Sequence, residues 1–509
     1  MDVPFRSVLW PSSGPAAQAS EREAQEVLAD LGLAGVFAEL TAEGCVEAAL
    51  RQPLADIGEI SYRQAVFADL EAPHLAAAVA AFREAMDQVR RQREQSGRLR
   101  HADQAARWLL TAADSYRTAV RALHSALADA APASQGLQEL MRYLGEYLAS
   151  PAFLTFEAEA EAVRAQLAAV RFTVELRGTR VTVRRAEDVT DLSGEIADIF
   201  GRFRQAAAHD DTVRFADYPE LNRVEEGIVD RVALLHPKAF AALRAFSRSH
   251  QAFPDETIAR FDREVAFYLM YLGLCDEIRT AGQGFCRPTL SEDGHDITVS
   301  GTFDLALAAK LSRAGGEIVP NDLTLADAER IIVVTGPNQG GKTTFARTFG
   351  QLHYLARLGC PVPGKRARLR LCDRVYTHFE RAEQAADLQG KLQDELLRLR
   401  TILAQATDRS VVVMNESFAS TTLRDALFLG REVMARLRER GLLCVYVTFI
   451  DELAAGDGVV SMVSQVAPDD PTRRTFRVVR GPANGLAYAM TLAERHGVTL
   501  DALRRRLAP

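Results

Sequence analysis

Ten consecutive residues constrain this chain more than any other stretch: Thr335-Gly336-Pro337-Asn338-Gln339-Gly340-Gly341-Lys342-Thr343-Thr344, placed directly after the apolar, β-branched run Ile331-Ile332-Val333-Val334. The pattern reads as a strand that ends in a glycine-rich loop and hands over to a helix at about Gly341, running through Phe345 to Leu358. In that arrangement successive backbone N–H groups point into the loop and the positive end of the helix faces it, which is a cradle for phosphate. Lys342 would reach the β- and γ-phosphates of a nucleotide and Thr343 would offer its hydroxyl to Mg²⁺. A glycine-rich turn without function is the alternative, but the strand before and the uninterrupted helix after it are the context that nucleotide binding requires. The nucleotide contacts are therefore expected from Gly336, Pro337, Asn338, Gln339, Gly340, Gly341, Lys342, Thr343 and Thr344.

Phosphoryl transfer needs more than a cradle, namely support for the metal and a group that directs the attacking water. The segment Val411-Val412-Val413-Met414-Asn415-Glu416 supplies candidates, because an apolar strand of an open α/β sheet carries its terminal polar pair to the edge where ligands bind. Glu416 is placed to position or deprotonate water, and with Lys342 it forms the expected catalytic pair. Asn415 stands where a carboxylate usually supports Mg²⁺, so with Thr343 it completes a weaker, neutral metal-supporting pair. A strand-ending Asn-Glu that merely opens a loop is the plainer reading.

The rest of the chain sets the frame. Its 509 residues are too many for one core and suggest roughly two to four domains. With 48% apolar and 25% charged residues the composition is that of an ordinary water-soluble protein, without any run of about 18 apolar residues or a secretory leader at the N-terminus, and a cytoplasmic location is expected. The six cysteines contain no C-x-x-C pair, which argues against a zinc site or a disulfide framework. A net charge of −7 gives no global reason to bind nucleic acid, so any DNA contact must be local.

From about Glu21 to Arg279 the sequence is rich in Ala, Leu, Arg and Glu with helical spacing; Leu137, Leu140, Met141, Leu144 and Leu148 fall on one face. Phe172–Leu176 and Val181–Val183 flank Arg177-Gly178-Thr179-Arg180, the pattern of a β-hairpin set between helices near 172–184. Between Gly282 and Gly301 the helical period is lost. Beyond it, β-rich runs at 331–335, 411–415, 443–448 and 475–480 alternate with helices at 341–358, 391–406 and 424–440. The fold class is thus α plus α/β: an all-α region with one small hairpin, then a P-loop α/β domain. Between Arg83 and Arg107 seven arginines face four acids, a stretch that suits DNA phosphates or simply a solvated helix face.

The quoted loop, together with Leu358-Gly359-Cys360-Pro361-Val362-Pro363, Asp373–Thr377, Val411–Glu416, Thr421 with Asp425, and Thr448 with Leu453, resembles the ATPase domain of the MutS family in order and spacing. The likeness continues upstream through Ile318–Leu323 and Arg287-Pro288, with a weaker echo at Asp56–Leu70, where Ile60-Ser61-Tyr62-Arg63-Gln64 is similar to the start of that family's helical core. The resemblance implies an N-terminal helical segment at 1–50, a helical core and lever region at 51–281 and an ATPase domain at 282–509 with C-terminal helices that support a dimer. It implies ATP and Mg²⁺ as ligands, a homodimer that sandwiches each nucleotide, and DNA clamping in repair or recombination. The mismatch-reading and connector domains are expected to be missing, and Phe37-Ala38-Glu39 matches the family's mismatch wedge in letters alone, so Phe37 is expected to be a core residue of a helical stretch.

Three positions depart from the family pattern. Asn415 replaces its acid, Phe449 stands where the switch strand carries a histidine, and Asp387-Leu388-Gln389-Gly390-Lys391 replaces the loop that offers a serine to the partner's nucleotide. Gly390 and Lys391 are the candidates for that contact in trans, through helix N–H groups and a point charge. Slow hydrolysis is expected. The alternative function is an ATP-gated protein scaffold that dimerises without touching DNA.

Overall fold

The computed structural model describes residues 5–11, 21–40, 44–186, 220–292, 294, 296–326, 328–381, 390–467, 470, 473–483, 499 and 500. The stretch 485–506, expected to buttress a dimer, falls outside these residues apart from Thr499 and Leu500, as do residues 387–389 in front of Gly390. The chain forms two compact units, each assembled from separated stretches: one from 1–5, 74–132 and 138–262, the other from 6–73, 133–137 and 263–509. Residues 263–281 fall in the second unit together with 6–73 and the α/β half.

The first unit is helical, with the helices Ala102–Ala130, Pro151–Ala168, Arg223–Leu235 and Pro237–Ser249 and most of Pro73–Arg98 and Gln135–Leu148. Its core is aromatic. Phe156 packs on Phe246 and Phe253, Phe253 on Tyr116, and the Tyr116 hydroxyl bridges Tyr147 and the Asp255 amide. The strands β1 (Phe172–Arg177) and β2 (Arg180–Arg185) pair antiparallel, with Arg177 opposite Arg180 and Thr173 opposite Arg184. Alternation along the strands therefore puts Arg177, Arg180 and Arg184 on one face and Phe172, Val174, Leu176, Val181 and Val183 on the other. Most arginines of the 83–107 stretch have partners within this unit: Arg83 and Arg90 pair with buried Asp262, Arg91 with Asp87 and Arg98 with Glu94, while Arg93 donates to the Gln251 carbonyl.

The second unit is built on two main sheets. Strands β3 (Phe285–Cys286), β4 (Thr289–Ser291), β5 (Ile297–Thr302), β6 (Asn321–Leu325), β7 (Ile331–Thr335), β8 (Val362–Pro363), β9 (Arg366–Arg370), β10 (Val375–Phe379), β11 (Val411–Asn415), β12 (Leu443–Val447), β13 (Val459–Val466) and β14 (Arg474–Arg480) follow in order. The larger sheet runs β10-β11-β12-β7-β13-β14, parallel except for β14. Every residue of β7, β10, β11 and β12 is buried, as strands covered on both faces must be, which explains the unbroken apolar runs Ile331–Val334, Val411–Met414 and Leu443–Val447. The helix Lys342–Arg357 packs on this sheet, and Gly350 meets Leu31 of the N-terminal segment so closely that a Cβ there would sit 2.4 Å from its Cδ2.

The N-terminal residues are integral to this unit. Asp30 accepts a hydrogen bond from Thr377, its backbone carbonyl one from Arg347, and the Leu31 and Leu50 carbonyls take bonds from Gln351 and Tyr354. Phe37 is 4% exposed and packs on Tyr354, so it is a core residue as expected, while Ala38 and Glu39 are exposed. The helix Ile57–Leu70 brings in Arg63, fully buried, whose guanidinium donates to the carbonyls of Leu9 and Leu358 and lies 4.4 Å from the Trp10 ring. Gln64 next to it donates to Pro288. Among the described residues no single helix is long and apolar enough to cross a membrane, and Cys275, Cys286, Cys360, Cys372 and Cys444 are free thiols.

Candidate functional site

The loop after β7 is shaped by its glycines and by one serine that carries no sequence signal. Gly336 and Gly341 have φ of 117° and 90°, and a Cβ on Gly336 or Gly340 would lie 2.9 Å from the Ser464 carbonyl or 2.3 Å from its hydroxyl. Ser464, on β13, donates to the Gly340 carbonyl at 2.6 Å, so the neighbouring strand pins the loop from below. Gln339 adopts φ 59°, the left-handed region that a non-glycine residue enters only when its surroundings hold it there. Gly341 then caps the helix that begins at Lys342, one residue later than expected from the sequence.

Two of the expected residues meet directly. The Thr343 hydroxyl donates to Oδ1 of Asn415, at the end of β11, across 2.8 Å. Lys342 is buried, donates to the Gly336 and Pro337 carbonyls at 2.9 and 3.0 Å, and has the Phe449 ring 4.4 Å from Nζ. Burial pushes its pKa down, opposed by the charge of Glu416 and reinforced by that of Arg474. Glu416 follows Asn415 at φ 54° with its N–H on the Val447 carbonyl, so the chain turns sharply at the sheet edge, where the Glu416 charge is felt at Lys342. Thr344 sits one step along the helix and lines a neighbouring cavity.

That cavity, of about 300 Å³, is bounded by Ile318, Val319, Asn321, Phe345, Thr348 and Phe476. Phe476 lies at φ 58° and is held there by Asn321, which donates to its carbonyl at 3.2 Å and accepts from Val478 at 2.7 Å. Arg474, two residues earlier, donates from Nε to the Asn338 carbonyl at 3.1 Å. Ser464, Arg474 and Phe476 escape sequence reasoning because β13 and β14 carry no motif. Gly390 caps the helix Lys391–Gln405 as expected, and Lys391 is engaged with Glu380 of its own chain.

Toward Mg²⁺, the chain offers a hydroxyl and an amide oxygen. Both are hard oxygen donors and suit that ion, but neither carries charge. Among the described residues no three His, Cys, Asp or Glu cluster as a metal site.

A mostly parallel sheet with a glycine-rich loop after β7, a lysine and threonine opening the next helix, and a polar pair at the end of β11, one strand removed from β7, together define a domain of the P-loop type. Residues 332–480 match MutS domain V. Over 343 residues the chain is 28% identical to the "DNA mismatch repair protein MutS" of Oleidesulfovibrio alaskensis, covering 65% of this chain and 36% of that protein. It is 33% identical over 200 residues to the protein of the same name from Erythrobacter litoralis, covering 39% of this chain and 22% of the relative. The "DNA mismatch repair protein MutS 2" of Halobacterium salinarum is 33% identical over 292 residues, or 55% and 32%. The matched stretches thus span 22–36% of these relatives' lengths. These matches support a MutS-family protein, through the domain V match at residues 332–480 and the stretches shared with the relatives.

Proposed function

We propose that this chain is a MutS-like ATPase that binds ATP in the loop after β7, hydrolyses it slowly in a site completed by a second copy, and couples nucleotide state to clamping on DNA in repair or recombination. The observation that carries the reading is the 2.8 Å bond between Thr343 and Asn415, which brings the ends of β7 and β11 into one pocket beside Lys342. In this reading the loop amides and Lys342 stabilise the transferring phosphoryl group, and Glu416 directs the water. Thr343 and Asn415 face the position of Mg²⁺, whose charge would neutralise the β- and γ-oxygens. The cavity between Ile318 and Phe476 has the apolar walls and the size for a purine base.

Lys391 and Gly390 are proposed to approach the partner's nucleotide, which requires Lys391 to exchange Glu380 for phosphate. For DNA, the hairpin is favoured over the 83–107 stretch. The arginines of that stretch are largely committed to Asp262, Asp87 and Glu94, whereas Arg180 and Arg184 share one exposed hairpin face with Arg177, which pairs with Glu175. Retention on duplex and branched DNA, measured across salt concentrations with and without ATP, tests the proposal. Wild type should bind with a steep salt dependence and an ATP response that Lys342→Ala removes. ATP-dependent dimerisation without DNA retention at any salt would instead establish the scaffold.

A further inference from the structure

Building on the DNA reading above, we infer that the β1–β2 hairpin recognises breaks in the base stack. Leu176, beside its tip, covers an open base-pair face of the kind a gap or branch presents, while Arg180 and Arg184 hold the phosphates next to it.

The hairpin is anchored at its base. Val183 packs on the cluster of Val232, Ala233, Ala239 and Phe240, Arg185 donates from Nε to the Leu235 carbonyl at 3.0 Å, and Nε2 of His236 donates to the Arg171 carbonyl at 3.1 Å. The other end stands in solvent, with every residue from Leu176 to Arg180 exposed. At the rise of an antiparallel strand, the Arg177–Arg180 pair lies roughly 10 Å beyond the Val174–Val183 pair. The ribbon therefore offers its tip to a partner.

One face of that tip is apolar. Leu176 is 71% exposed, more than any other large apolar side chain among the described residues, and Phe172 and Val174 continue its face toward the base at 42% each. Such a side chain gains free energy when a flat apolar surface takes it out of water. The face of a base pair is a surface of this kind, and it is accessible only where the stack is broken. In a continuous duplex an apolar wedge must first unstack two base pairs, a cost that an already open stack does not impose.

The opposite face is cationic. Residues 171–185 contain five arginines and one acid, Glu175, which is paired with Arg177. Arg180 and Arg184 are exposed on the same side of β2, and their charge complements a phosphate backbone. Phosphate contacts carry no sequence information, and every base pair has an apolar face, so the hairpin responds to continuity of the stack and not to base sequence.

The test is equilibrium binding of the full chain to two DNA dumbbells, one continuous and one with a short central gap. Both are closed by loops, so that the gap supplies the open base-pair faces. Wild type should favour the gapped probe by about tenfold or more. Leu176→Ser should reduce that preference to within about twofold while keeping the affinity and salt dependence on the continuous probe, and Leu176→Phe should preserve it. Arg180→Gln combined with Arg184→Gln should weaken both probes alike and lower the salt slope by about two. Thermal melts establish that each variant is folded. Equal binding of both probes by wild type overturns the inference and leaves the DNA reading standing, and so does a gap preference that survives Leu176→Ser or a double arginine variant with wild-type affinity. A change of oligomeric state on Leu176→Ser, seen by light scattering without DNA, assigns the apolar face to a second copy and overturns it as well. No retention of either probe even at low salt overturns the DNA reading and the inference with it.

Discussion

Oε2 of Glu395, on the helix Lys391–Gln405, accepts a hydrogen bond from the backbone N–H of Phe418 at 2.9 Å. Phe418 lies in the turn just past Glu416, and both residues have positive φ, 54° and 66°, which bulky side chains seldom adopt. The neighbouring Ser417 is bonded to His378 at 2.7 Å, while Nε2 of that imidazole contacts the Glu395 carbonyl at 3.2 Å. A carbonyl only accepts, so Nε2 carries the proton and Ser417 donates to Nδ1. Helix, strand and strained turn are thus locked together, and the helix that begins at Gly390 is mechanically tied to the residue proposed to direct water.

Glu395→Ala should leave a buried N–H without its acceptor, at about 1–3 kcal/mol of stability. Because the turn also aims Glu416, turnover at saturating ATP should fall while ATP affinity stays within about twofold. Glu395→Gln keeps an acceptor oxygen and should recover both properties. Thermal melts and single-turnover hydrolysis distinguish these outcomes; a turnover rate untouched by Ala would disconnect the helix from catalysis.

Glu416→Gln should abolish turnover while preserving ATP binding, and so accumulate a nucleotide-loaded dimer. Lys342→Ala should lose the binding itself. Light scattering with and without ATP separates the two variants. A Gln variant that turns over at the wild-type rate would take from Glu416 its assigned role.

The two halves of the site differed in how visible they were in the sequence. The β7 loop and the end of β11 announce themselves locally, through β-branched runs, glycines and a polar pair, and these runs match the strands at Ile331–Thr335 and Val411–Asn415 residue for residue. Ser464, Arg474 and Phe476 reach the same pocket through the pairing of β13 with β7 and β14, a non-local relationship that no window of sequence encodes. The packing of the N-terminal segment is non-local in the same way: its helical spacing is visible in the sequence, but not that Asp30, Leu31 and Leu50 bond to the helix and strand more than 300 positions downstream. Arg63 illustrates an intermediate case, since its motif was noticed but its burial between Trp10 and Phe267 was not foreseeable.

Gly359→Ala tests how tightly Arg63 is seated. Gly359 has φ 75°, and a Cβ there would lie 2.6 Å from Cβ of Arg63 and 3.2 Å from the Ile60 carbonyl, so both the backbone and the helix Ile57–Leu70 resist it. The substitution should cost about 2 kcal/mol or more in unfolding free energy. A melt unchanged from wild type would show that this helix shifts freely against the sheet.

The buried imidazoles give stability a pH dependence with a definite sign. Burial pushes His353 down to about 4 and His378 down to about 3, the latter helped by the charge of Arg398, whereas an unfolded histidine titrates near 6.5. Between those values the unfolded chain binds protons that the folded chain refuses, so stability is complete above about pH 6.5 and falls as the pH drops, by up to about 1.4 kcal/mol per unit for each residue. Asp30, Asp304 and Glu395 act oppositely, because burial raises their pKa values and the folded state then holds protons that the unfolded state has released. Subtracting a variant isolates the histidine contribution from these carboxylates. His353→Phe keeps a ring against Phe349, 4.9 Å away in wild type, and removes only the titrating group and its backbone contact. Denaturant unfolding of both proteins from pH 7.5 to 4.5 should give a stability difference that is flat above 6.5 and drifts against wild type below it. Parallel curves over the whole range would mean that His353 titrates normally and is not sealed in the core.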